Sequence, residues 1–259
     1  LPPAPDGVVL SGGGARGLAH VGALTALERL GYDPRIVAGT SMGAIVGALY
    51  AAGYSAAEVE TRVMERDWPG MFLPMPGLYG PDRDLRHPSI RLDLGLGLGE
   101  PGRGIVADWR INRTLASLLF DAQARSRGDF DRLPRRFRAV AADLKTGLRV
   151  DLGQGDLARA VRASMAIPGA FAPVEWMDGR IFVDGAIDDY LPVRTAGELG
   201  AEEIVAIDVT LPTPHITSLD PVSVGARGMR LNLVNSRAGE PVPDVLLVPA
   251  LDPRLTELG

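Results

Sequence analysis

Gly39-Thr40-Ser41-Met42-Gly43 stands between an apolar strand-like run, Arg35-Ile36-Val37-Ala38, and a helix-like run from Ala44 to Ala52. A serine on so sharp a strand-to-helix turn has its hydroxyl pushed out where a substrate reaches it. Glycines on either side leave room for the tight backbone and for an approaching acyl group. The bland alternative is a turn serine that caps the next helix.

A second block of the same kind lies upstream. Val8-Val9-Leu10-Ser11 leads into Gly12-Gly13-Gly14-Ala15-Arg16-Gly17, followed by a helical apolar pattern from Leu18 to Leu30. Successive glycines turn backbone N–H groups into one small space, and a helix N-terminus adds partial positive charge there. Such a nest suits a phosphate or the oxyanion of a tetrahedral acyl intermediate. The run fits G-x-G-x-x-G, but a dinucleotide fold also wants an acid ending the second strand. Gly39-Thr40-Ser41 occupies that place, and Asp33 precedes the strand. No Gly-Lys-Ser/Thr follows, so a P-loop fits less well still. Acyl transfer explains both blocks at once: two parallel strands end side by side, one turn offering a nucleophile and the other oxyanion donors.

A serine nucleophile needs a base. The chain has three histidines, His20, His87 and His215. His20 falls in the helix after the Gly-rich turn and reads as packing or capping there; His87 and His215 sit in Pro-containing loops. The order Ser41, an Asp, then His215 would suit an α/β-hydrolase triad, which keeps His215 as an alternative. A better candidate is Asp184, where the short apolar strand Arg180-Ile181-Phe182-Val183 ends in an acid followed by Gly185-Ala186. By itself this is an ordinary Asp-Gly turn. Asp178-Gly179 reads as another, a hairpin turn between Val174-Glu175-Trp176 and Ile181-Phe182-Val183.

Taken in order, Gly12-Gly13-Gly14-Ala15-Arg16-Gly17, Gly39-Thr40-Ser41-Met42-Gly43 and Asp184-Gly185-Ala186 resemble the three signature blocks of the patatin-like phospholipases. Ala141 to Gly147, Ala163 to Gly169 and Leu191-Pro192-Val193 resemble bacterial members, and the likeness runs from about Val8 to Val209. Ala166 and Tyr190 stand where many members have Ser and Asn. The resemblance implies a lipid acyl hydrolase of the phospholipase A or lysophospholipase type, with a Ser-Asp dyad, no catalytic histidine and no cofactor. It implies Ser41 as nucleophile and Asp184 as base. The oxyanion hole would come from the Gly12, Gly13, Gly14 and Ala15 backbone, with Arg16 beside it. The substrate implied is a phospholipid or lysophospholipid at a membrane surface, and a homo-oligomer is compatible with it. A dyad needs an Asp more basic than a free one, and Phe182, Val183 and the 165–171 segment could supply the apolar wall that raises it. A non-catalytic protein that holds an anionic headgroup in the Gly-rich nest is the alternative from another class.

Composition sets the remaining limits. At 259 residues one α/β domain over 1–259 is the natural count. A net charge of −5 gives no reason to expect nucleic acid. Lys145 is the lone lysine among arginines, and the absence of cysteine excludes disulfides and thiolate metal sites. No cluster has metal-ligand character; Asp188-Asp189 reads as a solvated turn, not a calcium site. No apolar run reaches 18 residues, so no membrane span is expected. The Pro-rich start, Leu1-Pro2-Pro3-Ala4-Pro5, reads as a processed or trimmed end. The Ile105 to Phe120 segment also resembles exported bacterial patatins, which makes a periplasmic, outer-membrane-associated or secreted location the expectation and a cytoplasmic one the alternative.

The expected fold is a three-layer α/β/α domain with a mostly parallel central sheet. The pattern predicts a βαβα unit over 7–66, helix over 108–124, a hairpin over 137–152 and a helix over 156–165. The acid-bearing strand follows, then a buried strand at 204–209 and a last strand at 245–248. Residues 68–104, rich in Gly and Pro, read as a lid or mobile loop, with Trp68, Met71, Phe72 and Tyr79 among its apolar side chains.

Overall fold

The structure is a computed structural model, described here for residues 6–66, 68, 108–168, 171–210 and 240–250. Five parallel strands form its centre in the order β3-β2-β1-β7-β8: β1 (Gly7–Leu10), β2 (Ile36–Thr40), β3 (Arg136–Asp143), β7 (Ile204–Ile207) and β8 (Val245–Leu247). Three shorter strands add antiparallel pairings at the β3 end: β4 (Arg149–Leu152), β5 (Val174–Glu175) and β6 (Ile181–Asp184). The mostly parallel sheet is therefore as the sequence led one to expect. β1, β2 and β7 are buried along their whole length, which is why they read as continuous apolar runs without alternation.

Alternation reappears in what the side chains touch. Val8, Leu10, Val37, Val205 and Ile207 join the larger core, while Val9, Ile36, Ala38, Ile204 and Ala206 join a smaller one on the opposite face. Side chains of α1 (Ala19–Arg29), α2 (Met42–Ala51), α3 (Ala56–Met64), α4 (Asp108–Leu118), α5 (Phe120–Ser126) and α6 (Leu157–Ser164) enter the larger core. On the other face, among the described residues, α7 (Val193–Glu198) supplies Val193 and Ala196. Among the described residues the layers are thus unequal. The helical run expected over 108–124 breaks at Leu119 into α4 and α5.

Every residue of α2 is buried, as a helix that is apolar all round requires. It comes close enough to the sheet that a Cβ on Gly43 would lie 2.3 Å from the Leu10 carbonyl oxygen and 2.6 Å from that of Ser11. Both obstacles are buried backbone, at and just past the end of β1, and cannot swing away. Gly43→Ala is therefore expected to cost about 3 kcal/mol or more, read as a lowered midpoint in urea unfolding.

Trp68 departs from the expectation of a mobile cluster: it is buried, and its indole N–H donates to the Val63 carbonyl at 2.7 Å. The rest of the proposed lid, 69–104, lies outside the described residues.

Candidate active site

The register of β3 brings together the two residues that matter most. β4 occupies one flank of β3 from Ala139 to Ala142. β2 and β6 therefore share the other flank, meeting end to end: Thr40 pairs with Val140, and Asp184 pairs with the next residue, Ala141. β2 runs up to this junction and β6, antiparallel, runs down to it. Ser41 follows β2 and Asp184 ends β6, so the turn after each strand opens at one point.

Ser41 itself has φ 56° and ψ −122°, and among the described residues only Arg127 is another non-glycine with positive φ. That backbone costs on the order of 1–3 kcal/mol and persists only where its surroundings enforce it. The bland reading of Ser41 fails, because its side chain makes no capping bond to α2. Its hydroxyl instead lies near enough to the Asp184 carboxylate to favour that group's ionised form.

Ser164, a residue that sequence reasoning passed over, holds the turn. Its Oγ accepts the Ser41 N–H at 2.9 Å and donates to the Val140 carbonyl at 2.5 Å, all of it buried. The hydroxyl thus fills the break in the ladder where β2 gives way to β6. Ser164→Ala leaves a buried N–H and C=O unpaired, so a loss of about 2–4 kcal/mol in urea unfolding is expected. A loosened elbow is expected to lower kcat about ten- to a hundredfold. The Ser in the Ala163 to Gly169 block was the available signal.

Asp184 is 1% exposed. Burial pushes its pKa up to about 6, against the opposing effect of the Ala186 N–H, which donates to Oδ1 at 2.9 Å, and of the Ser41 hydroxyl. Its own N–H donates to the Ala166 carbonyl at 3.0 Å. Phe182, Val183, Met165 and Phe171 are buried, as the apolar wall required. A carboxylate with a pKa near 6 is ionised at neutral pH yet more basic than a free one.

The Gly-rich turn becomes a short 3-10 helix, Gly14–Leu18, leading into α1. Its first N–H groups have no acceptor within the helix, and no described residue accepts from Gly13 or Gly14. Gly12 differs from the expectation: its N–H donates to the Tyr190 carbonyl at 2.8 Å, which removes it from the donor set. Gly12 serves by closeness instead, since a Cβ there would stand 3.6 Å from that of Ser41. Arg16 folds back, its Nε donating to the Gly13 carbonyl at 3.3 Å. Gly17 lies so close to Met42 that a Cβ would fall 2.4 Å from the Met42 Cβ, which fixes the two turns against each other.

His20 supports this loop from beneath. It is fully buried, and its Nε2 sits 2.8 Å from the Ser11 carbonyl oxygen. Burial pushes its pKa down to about 4, so it is neutral with the proton on Nε2. Ser11 Oγ in turn donates to the Gly12 carbonyl and accepts the Val209 N–H. His87 and His215 lie outside the described residues.

The reading of Asp188-Asp189 as a solvated turn is corrected. Asp188 accepts the Arg149 N–H at 2.8 Å, and Asp189 is buried with Oδ2 3.6 Å from the Arg149 guanidinium. The Asp189 carbonyl accepts the Thr40 hydroxyl at 2.9 Å, so this turn braces the elbow from the other side. Among the described residues no group of His, Cys, Asp and Glu could hold a metal ion, and no helix is long and apolar enough to cross a membrane.

Comparison with known proteins agrees with this geometry. The patatin-like phospholipase family model matches residues 8–196. An uncharacterized NTE family protein of Mycobacterium tuberculosis is 33% identical over 208 residues, covering 78% of this chain and 48% of that protein. Human patatin-like phospholipase domain-containing protein 6 is 32% identical over 203 residues, covering 78% of this chain and 13% of its own length. The chain thus spans half or less of these curated relatives. The crystal structure of VipD from Legionella pneumophila superposes with a TM-score of 0.51 at 16% identity, over 87% of this chain and 52% of VipD, a likeness of fold. With all three signature blocks inside the matched residues and gathered at one junction of the sheet, the chain belongs to the patatin-like phospholipase family.

Proposed function

We propose that this protein is a serine lipid acyl hydrolase, cleaving carboxyl esters of phospholipids or lysophospholipids through a Ser41–Asp184 dyad. The observation that carries the reading is the junction on β3 that sets a strained Ser41 beside a buried Asp184 of raised pKa. Ser41 Oγ attacks the ester carbonyl carbon and its proton passes to Asp184. The oxyanion is received by the N–H groups of Gly13, Gly14 and Ala15. Collapse breaks the ester C–O bond, and the departing alcohol takes the proton from Asp184, leaving an acyl-serine. Water then attacks, Asp184 accepts its proton, and that proton returns to Ser41 Oγ as the fatty acid leaves. No histidine is used.

The headgroup-binding alternative has no use for the dyad, and Ser41 and Asp184 are both intact. Labelling with a fluorophosphonate decides between them. An adduct on Ser41, found by mass spectrometry of the digested protein, is expected; no adduct on a folded protein, with no ester hydrolysed, would overturn the reading.

A further inference from the structure

Two turns stand beyond the carboxyl edge of the sheet, above the junction that holds Ser41 and Asp184. The β3–β4 turn continues past Val140 by three residues before leaving the strand, a rise of ~10 Å. The β5–β6 turn stands beside it, because β6 runs antiparallel to β3 and starts at this outer edge. The two are hydrogen-bonded together by the Leu144 N–H, which donates to the Ile181 carbonyl at 2.8 Å, and the β3–β4 turn is itself closed by the Asp143 N–H, which donates to the Leu148 carbonyl at 3.0 Å. Neither turn is loose. Asp143 Oδ1 accepts the N–H groups of Lys145 and Thr146, and Arg180 pairs with Asp178 at 2.7 Å.

What these rigid turns present is apolar. Leu144 is 51% exposed, Leu148 62%, Met177 79% and Ile181 43%. Apolar side chains scattered singly on a surface are ordinary, but four exposed on two turns that are hydrogen-bonded together point to an interaction site. Between the two leucines stands Lys145, the single lysine of the sequence, exposed and in no ion pair among the described residues. The protein carries a net charge of −5, so general electrostatics would repel an anionic surface, and a cation placed at this tip counters that repulsion locally.

We infer that the β3–β4 and β5–β6 turns form a docking rim for an anionic lipid surface, with Leu144, Leu148, Met177 and Ile181 entering the interface and Lys145 meeting the headgroups. The choice of partner rests on the lipid-hydrolase reading: a chain cleaving bilayer esters must bring Ser41 to the interface, and this rim stands on the edge where Ser41 opens. Burial of apolar side chains supplies the attraction and the basic residue sets the preference for anionic lipid.

The test uses the full chain in two forms. In a Ser41→Ala background, so that lipid is not consumed, Leu144→Glu/Leu148→Glu should weaken co-sedimentation with vesicles of equimolar phosphatidylcholine and phosphatidylglycerol by about thirtyfold, from the apolar area of two half-exposed leucines. Lys145→Gln should weaken it a few-fold and only when phosphatidylglycerol is present. With Ser41 intact, the leucine variant should hydrolyse a monomeric short-chain ester as before but lose activity on vesicles. Met177→Glu, on the other turn, should reproduce the loss and serves if the leucine variant does not fold. Unchanged vesicle binding in a folded variant would overturn the inference. So would equal loss on monomeric ester, or a dimer that the substitutions turn into a monomer, which would make the rim an interface between copies. Failure of the wild type to hydrolyse any ester would instead strike the catalytic reading, and the Ser41→Ala vesicle arm would still report on the rim.

Discussion

Ser41→Ala is expected to reduce ester hydrolysis by about 10⁴-fold or more, with the fold retained and no fluorophosphonate adduct formed. Alanine keeps every backbone contact of the elbow, including the 2.9 Å bond from the Ser41 N–H to Ser164. It removes only Oγ, so activity would fall without a matching fall in stability. Residues that act as one unit do not contribute additively. Adding Asp184→Asn to Ser41→Ala should therefore lower the residual rate no further. A marked further loss would mean that Asp184 acts through some group other than Ser41.

Asp184→Asn is expected to cost 10²–10⁴-fold in kcat and, at neutral pH, to make the protein more stable. The two effects share one cause. Burial raises the carboxyl from 3.8 to about 6, so between those pH values the folded state holds a proton that the unfolded state has released. Stability therefore falls as pH rises through that window, and above it the folded protein carries a buried charge costing on the order of 3 kcal/mol. Asparagine keeps an oxygen to accept the Ala186 N–H and carries no charge. Its stability should exceed the wild type's at pH 8 and match it near pH 4, in thermal melts at both values. For the wild type, log kcat/KM should climb with unit slope to an apparent pKa of about 6 and then level, because the ionised form is the base. His215→Gln should leave the profile intact. If His215→Gln abolished activity while Asp184→Asn retained it, a triad would replace the dyad.

The loops that carry chemistry could be read from the chain because glycine spacing reflects local sterics. Gly43 lies against the Leu10 and Ser11 carbonyls and Gly17 against Met42, so each motif records a close approach that no other residue permits. The parallel strands were legible for a similar reason, being buried on both faces. Other features left no local mark. His20 looked like any helical histidine, yet its ring props the Gly-rich turn through Ser11. Asp188 and Asp189 looked solvated because adjacent acids usually are, and only the approach of Arg149 from β4 brings them inside. Gly12 seemed one donor among several until Tyr190, 178 residues on (190 − 12), claimed its N–H.

The sequence by itself determined the two sharp turns, the acid at a strand end and the parallel sheet that presents them, since these follow from steric and apolar patterns within a few residues. Tertiary structure alone decided that Asp184 lies beside Ser41. That depends on β2 and β6 meeting end to end on one flank of β3. It depends equally on Ser164 bridging the gap, 123 residues from the serine it holds. Strand register and burial are set by contacts distant in the chain, and they give an ordinary Asp-Gly turn a pKa near 6.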